Sequence, residues 1–424
     1  MTDIMTLASP VGWQLYRLGQ LFRERKMKGS DKDYPPLSVT MGGIVPQLET
    51  AAKTDDGDNR KIVHVGDYVI NSRSDRKGSG GISKHEGSVS LISIVLEPRN
   101  IDARFAHHLL RSPAFQEEFY RWGHGIVADL WTTRFTDMKN IRLRVPDLAT
   151  QRLIADFLDR ETARIDLLIE KKQTLVRLLG EKYEASAAQL STGEVSAEEK
   201  IDSGIDWLGV IPRSWRVEKL SWHFYAAKGK DAQKYTKEYC GANEGEFPVY
   251  SGQTANEGVM GLIDTFDYDF GKTGVLFATT VGAKAMDLRH LQGKFSLSQN
   301  CMIIIPRTPI PLKFFLYQMR VLFRKERQLI PDHMQASFRV EDLYKYRIAL
   351  PLLEQASEIG TRIEKSEAAL KAVVQPVNAS IDRLKEYRSA LITAAVTGQI
   401  DVQTYGKSGA TDRQLDAIQE EMRA

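Results

Sequence analysis

An offset of 205 residues maps one half of this 424-residue chain onto the other, pairing Pro146 with Pro351, Asp137 with Asp342, Met138 with Leu343 and Gly193 with Gly398. One residue lost after the proline then pairs Gln151 with Gln355 at an offset of 204. The match is clearest at the junctions VPDLATQ (145–151) and LPLLEQ (350–355), where an alternating apolar run ends in proline and a helical pattern begins. Weaker echoes join GWQLYRL (12–18) to SWRVEKL (214–220) and IDARFAHHL (101–109) to IPLKFFLYQ (310–318). A period of about 200 residues restricts the fold to two copies of one unit, each long enough for its own core.

Within each copy the pattern changes character. Between Trp13 and Val145 short runs such as KIVHVGDYVI, SVSLISIVL and NIRLRV are broken by Gly, Asn, Asp and Pro, which predicts strands and turns with one helix near 104–121. Trp13 and Trp215, opening the two copies in the pattern W-x-[L/V]-x-x-L, are expected to anchor the cores. After Pro146 the sequence is free of proline as far as Pro212, and Ile154, Leu158, Ile165, Leu168, Leu175 and Leu178 recur at spacings of three, four and seven, an amphipathic helix with one seam. Ile363, Leu370, Val373, Val377, Leu384 and Leu391 repeat the seam, with Pro376 inside it expected to bend or break the helix near Gln375. A stripe of that length needs a partner, and the other copy supplies one of matching length.

The expected fold is therefore α+β: two mixed, strand-rich domains in a pseudo-twofold repeat, joined by two long antiparallel coiled-coil helices. The boundaries read as a first domain over 1–145, a helical region over 146–192, a polar linker over 193–210, a second domain over 211–350, a second helical region over 351–400 and a tail over 401–424. The tail begins as a further linker, TYGKSG, and then offers a short helix carrying Leu415, Ile418 and Met422.

Several function classes are excluded early. The longest uncharged apolar runs, such as CMIIIP (301–306), fall far short of a membrane span, and the N-terminus lacks a basic stretch followed by an apolar one, so a cytoplasmic location with no membrane partner is expected. Cys240 and Cys301 form neither a CxxC pair nor a disulfide framework and read as packing residues. GSGGIS (78–83) departs from GxGxxG, DYPPL (33–37) has its tyrosine before the prolines, and adjacent His107 and His108 have no Cys or carboxylate at ligand spacing. No catalytic residue, metal or cofactor is expected.

What the chain does carry is basic, glycine-flanked loops. NSRSDRKGSGGISKHEG (71–87) holds Arg73, Arg76, Lys77 and Lys84, and the second copy supplies Gln253, Lys284 and Arg289. Net charge is only +3, yet the first helix, 147–190, has seven Lys or Arg against eight Asp or Glu, so positive charge concentrates on the domains. Glycine beside Arg or Gln lets a loop approach a groove while the long side chain reaches base edges. Arg134 and Arg339 occupy equivalent positions ahead of the last strand of each unit; DNA contact and local pairing with Asp137 or Asp342 are both open to them.

Taken together, the GW and PRSW starts, GDYVINSR, PDLATQRLIADFLDRETARID, PLLEQ, the helix ends TGEV and TGQI and the linker DSGIDWLGVIPRSW resemble the specificity subunit of type I restriction-modification systems across nearly the whole chain. The resemblance implies a non-catalytic reader with two target-recognition domains. Such a reader binds double-stranded DNA at a bipartite target and docks two adenine-N6 methyltransferase subunits along its helices, and restriction subunits can join. Two other readings compete from the residues alone: a coiled-coil protein-binding adaptor, favoured by the modest net charge, and a methyltransferase in its own right, disfavoured by the missing catalytic motif.

Overall fold

The computed structural model describes residues 10–48, 57–73, 76–125, 131–253, 256–282, 285–331, 334 and 336–420. The chain forms two compact units, Met1–Thr174 with Pro376–Ala424, and Leu175–Gln375.

The first unit centres on a four-stranded antiparallel sheet in the order Phe22–Glu24, Ser93–Pro98, Tyr68–Asn71, Gly80–Ile82. Successive side chains of a strand point to opposite faces. Tyr68, Ile70, Ile94 and Leu96 accordingly pack with Phe105, Leu109, Phe115 and Phe119, while Val69 and Val95 pack with Leu37, Ile44, Val63 and Val89. Both faces are buried, which is why these strands read as nearly continuous apolar runs. The single helix expected near 104–121 is two, Ala103–Arg111 and Pro113–Arg121. Pro113 cannot continue the first, and Ser112 Oγ caps the second by accepting the Phe115 N–H at 3.3 Å.

The second unit repeats the sheet in the same order, Phe224–Lys228, Cys301–Pro306, Val275–Thr279, Leu288–Leu291. Leu276, Ala278, Met302 and Ile304 face the helix Leu312–Gln328, whose sequence has no internal proline, and Val275, Phe277 and Ile303 pack with Phe295 and Leu297. Cys240 and Cys301 are both buried, and burial pushes the Cys301 thiol up to about 12.

The repeated proline-to-glutamine junction fixes each long helix to a domain. Gln151 is buried; its amide accepts the Asp102 N–H at 2.7 Å and donates to the Pro146 carbonyl at 2.8 Å. Gln355 accepts from the Trp215 indole at 3.1 Å. In the first unit Gln14 pairs with Val145 in a two-stranded sheet, and Gly398, with φ +72°, closes against Pro10 and Trp13, where an added Cβ would lie 2.4 Å from the proline ring. The start of the helix Leu148–Thr192 and the end of the helix Leu353–Val396 thus meet at one point, and the two run antiparallel within that unit. Arg388 and Asp166 join them through two contacts of 2.8 and 3.0 Å. In the second unit Arg216 pairs with Leu350 and Gly193, φ +76°, closes against Pro212 and Trp215 in the same way.

The seam differs from the expected one beyond Ile165. Leu175 and Leu178 are 45% and 50% exposed, and Val373 is 50% exposed. The inward residues are Lys172, Val176, Leu179, Tyr183, Ala187 and Leu190, at helical spacings of three and four. Lys172 and Leu179 continue Leu158 and Ile165 at steps of seven, and Val176, Tyr183 and Leu190 are likewise seven apart, so the repeat holds and the expected seam leaves it after Leu168. Pro376 does not break the second helix, which is continuous from Leu353 to Val396.

TYGKSG is not a linker either. It lies mostly within a helix, Val402–Lys407, capped by Asp401, and a second helix, Ala410–Glu420, follows. Val402, Leu415 and Ile418 are buried in the first unit's core, Tyr405 meets Phe157 edge-on, and Asp412 pairs with Arg164; Met422 lies outside the described residues. Leu415→Ala is expected to destabilise this unit by about 2 kcal/mol, the low end for a buried leucine, because a peripheral helix can detach alone. Faster amide exchange confined to 402–420 would show it; uniform loss across the unit would contradict it.

His107 and His108 are interior residues. Burial holds the His107 imidazole down at about 3, and the His108 ring bonds Asp159 at 2.7 Å. Among the described residues no cluster of His, Cys, Asp and Glu could hold a metal ion, and no helix is long and apolar enough to cross a membrane.

Candidate nucleic-acid interface

In the first unit the chain leaves the strand Tyr68–Asn71 into the basic loop, and a second segment locks onto it. The Thr133 N–H donates to the Ser72 carbonyl at 3.0 Å and Arg73 bridges to Thr132. Arg73 is thereby brought beside the segment carrying Arg134, and both side chains are exposed. Arg134 then stands at the N-terminal boundary of the short helix Phe135–Met138, with no hydrogen bond from its side chain to the helix end. In the second unit the Phe338 N–H donates to the Thr280 carbonyl at 2.7 Å, Gly282 N–H to the Ala336 carbonyl at 3.1 Å, and Val281 bridges to Ser337. Exposed Arg339 caps the helix Val340–Leu343, its backbone N–H bonded to Asp342 at 2.9 Å. Among the described residues neither guanidinium forms an ion pair: Asp342 pairs with Lys345 at 2.7 Å and Asp137 lies 3.9 Å from His124.

The remaining candidates fall in different places. Arg76 and Lys77 share the loop with Arg73; Lys77 pairs with Glu117 and lies 5.6 Å from the centre of the Tyr120 ring. Exposed Lys84 sits at the other end of the strand pair, because Tyr68 is opposite Ile82 and the chain turns there beside Asp67. It is separated from the arginines by the length of the strands. Gln253 and Arg289 come together on one loop, Gln253 donating to the Val259 carbonyl at 2.6 Å and Arg289 to the Glu257 carbonyl, with Asp287 3.7 Å from Arg289. These contacts tie Gln253 and Arg289 to the segment Glu257–Val259. Lys284 lies outside the described residues.

A basic stretch that sequence reasoning passed over completes the site. Lys228, Lys230, Lys234 and Arg339 line an open cleft of about 1000 Å³ with Asp231 and Glu341, so cations outnumber carboxylates two to one. Gly229 allows it: a Cβ there would lie 2.5 Å from the Leu297 carbonyl oxygen, so only glycine lets this loop lie against the neighbouring strand. Lys230 lies 5.2 Å from the centre of the Tyr268 ring and Lys234 4.9 Å from that of Tyr239, whose contact raises the lysine pKa and keeps it charged. The signal was legible in KGKDAQK (228–234), and an offset of 202 pairs Lys228 and Lys230 with exposed Lys26 and Lys28 of the first unit. Clefts lined by one sign of charge concentrate field on an oppositely charged ligand, and lysine is among the side chains that hold phosphate backbones.

The family described as the type I restriction modification DNA specificity domain matches residues 10–177 and again 225–376. A type I specificity subunit of Mycoplasma pneumoniae is 38% identical over 95 residues, 22% of this chain and 29% of that protein. The type I restriction enzyme MpnII specificity subunit of the same organism is 27% identical over 152 residues, 36% of this chain and 44% of that protein. These alignments span less than half of either relative's length. A chain from a structure concerned with complex assembly and conformational transition of the type I R-M system superposes with a TM-score of 0.57 at 16% identity, covering 93% of this chain and all of that one. That likeness is one of fold. With two matched domains, the same sheet order in each unit and long helices that begin and end on them, the chain belongs to the type I restriction modification DNA specificity family.

Proposed function

We propose that the chain is the non-catalytic, sequence-specific DNA-binding subunit of a type I restriction-modification complex, with each unit reading one half of a bipartite duplex target. The observation that carries this reading is the main-chain clamp made twice, Ser72 to Thr133 and Thr280 to Phe338, which presents an exposed arginine beside a basic loop in both units. Repeated geometry on repeated scaffolds suits repeated contacts. In this reading the long helices dock two adenine-N6 methyltransferase subunits, which supply the chemistry, and restriction subunits join that assembly.

Titration of purified chain with duplex DNA at several salt concentrations tests the reading. Phosphate neutralisation makes log K fall linearly with log salt, whereas an adaptor that binds only protein has no duplex affinity to lose. Arg134→Ala and Arg339→Ala are each expected to weaken duplex binding and to lower the salt slope by about one, with the melting temperature unchanged. A drop in melting temperature at unchanged affinity would assign these arginines to structure. Methylome sequencing of a host with and without the gene would return both half-sites and the spacer.

A further inference from the structure

In both units the strand that enters the centre of the four-stranded sheet is reached through the same corner. Gly87–Val89 turns through Ser90, Leu91 and Ile92 into Ser93–Pro98, and Lys294–Leu297 turns through Ser298, Gln299 and Asn300 into Cys301–Pro306. An offset of 208 superimposes the two corners and also pairs Asn71 with Thr279 and Ser72 with Thr280. Sheet register holds each corner beside the clamped loop, since Ser93 pairs with Asn71 and Cys301 with Thr279. In the second unit the Thr280 N–H also donates to the Asn300 carbonyl at 2.8 Å.

The frame is common and its two outward residues are opposite in chemistry. Leu91 and Ile92 are 41% and 39% exposed, an adjacent apolar pair left to solvent at a turn. Gln299 and Asn300 are exposed amides, and among the described residues neither side-chain amide has a hydrogen-bond partner. Both line the cleft that holds Lys228, Lys230, Lys234 and Arg339, and both line the smaller cleft beside it, so they form the ridge between two hollows. Asn300 has φ +65°, a conformation that asparagine and glycine tolerate. Lysines around such a ridge can hold phosphates, but phosphates carry no sequence information. Side chains at the ridge are the ones placed to carry it.

Resting on the reading above, we infer that these corners are specificity determinants: Gln299 and Asn300 read adenine in the second unit's half-site, and Leu91 and Ile92 contact thymine methyl groups in the first unit's. The chemistry follows from the major-groove edges. A side-chain amide donates to adenine N7 and accepts from its N6 amino group, and an apolar side chain gains only from the thymine C5 methyl.

The test uses the complete system in its host and reads the methylated motif for the parent chain, for Gln299→Ala with Asn300→Gly, and for Leu91→Ala with Ile92→Ala. Glycine at 300 keeps the left-handed backbone, and methylation that still requires the untouched half-site shows that the variant has folded. Each variant is expected to lose discrimination at one or two A·T positions of a single half-site, by roughly 5- to 150-fold per position for the amide pair, with the other half-site and the spacer unchanged. An unaltered motif in both variants would overturn the assignment of the corners while leaving the proposed function standing. Absence of any bipartite motif in the parent would overturn the proposed function, and this inference with it.

Discussion

Trp215→Ala is expected to destabilise the second unit by about 3–5 kcal/mol and to yield poorly soluble protein. The indole is 3% exposed, meets Phe314 edge-on at 5.6 Å, donates to Gln355 and forms the wall against which Gly193 closes. Its removal opens a cavity where a strand, the end of one long helix and the start of the other converge, so the surroundings have little freedom to collapse. Trp13 is only half-buried and meets Phe105 at 6.4 Å, so the same change there is expected to have a smaller effect. Denaturant unfolding of both variants measures the difference. A Trp215→Ala protein that melts like the parent but has lost duplex affinity would make this tryptophan a base-stacking residue.

Replacing Lys228, Lys230 and Lys234 together with glutamine is expected to reduce the slope of log K against log salt by nearly three, at about 0.9 for each phosphate that a lysine no longer neutralises. At moderate salt the affinity should fall by orders of magnitude. The three lysines are exposed, and the loop's closeness to its neighbouring strand depends on Gly229, so fold and melting temperature should hold. Binding measured from low to high salt is the check; parallel salt lines for parent and variant would place the DNA elsewhere.

The repeat and the sheet-to-helix junction were legible because period and proline are written into the sequence. Other features needed the third dimension. Counting on from Leu168 selects Leu175 and Leu178, but the packing turns Tyr183, Ala187 and Leu190 inward instead. Pro113 was a readable stop that a continuous apolar pattern concealed. Arg289 and Gln253 are the right residue types beside glycine, but their bonds to main-chain carbonyls depend on how one loop folds back. Lys228 and Lys230 were equally visible, yet their convergence with Arg339, more than a hundred residues away, is a product of topology.

The two glycine closures give the chain a topology without a privileged beginning. Gly193 meets Trp215 across a covalent linker, and Gly398 meets Trp13 with no peptide between them, yet the two closures are built alike. The order of the repeats along the backbone is therefore incidental to their packing. A chain opened in the turn 203–209 and rejoined ahead of Pro10 would keep both closures, and with them both cores, although its first residue would then belong to the other repeat.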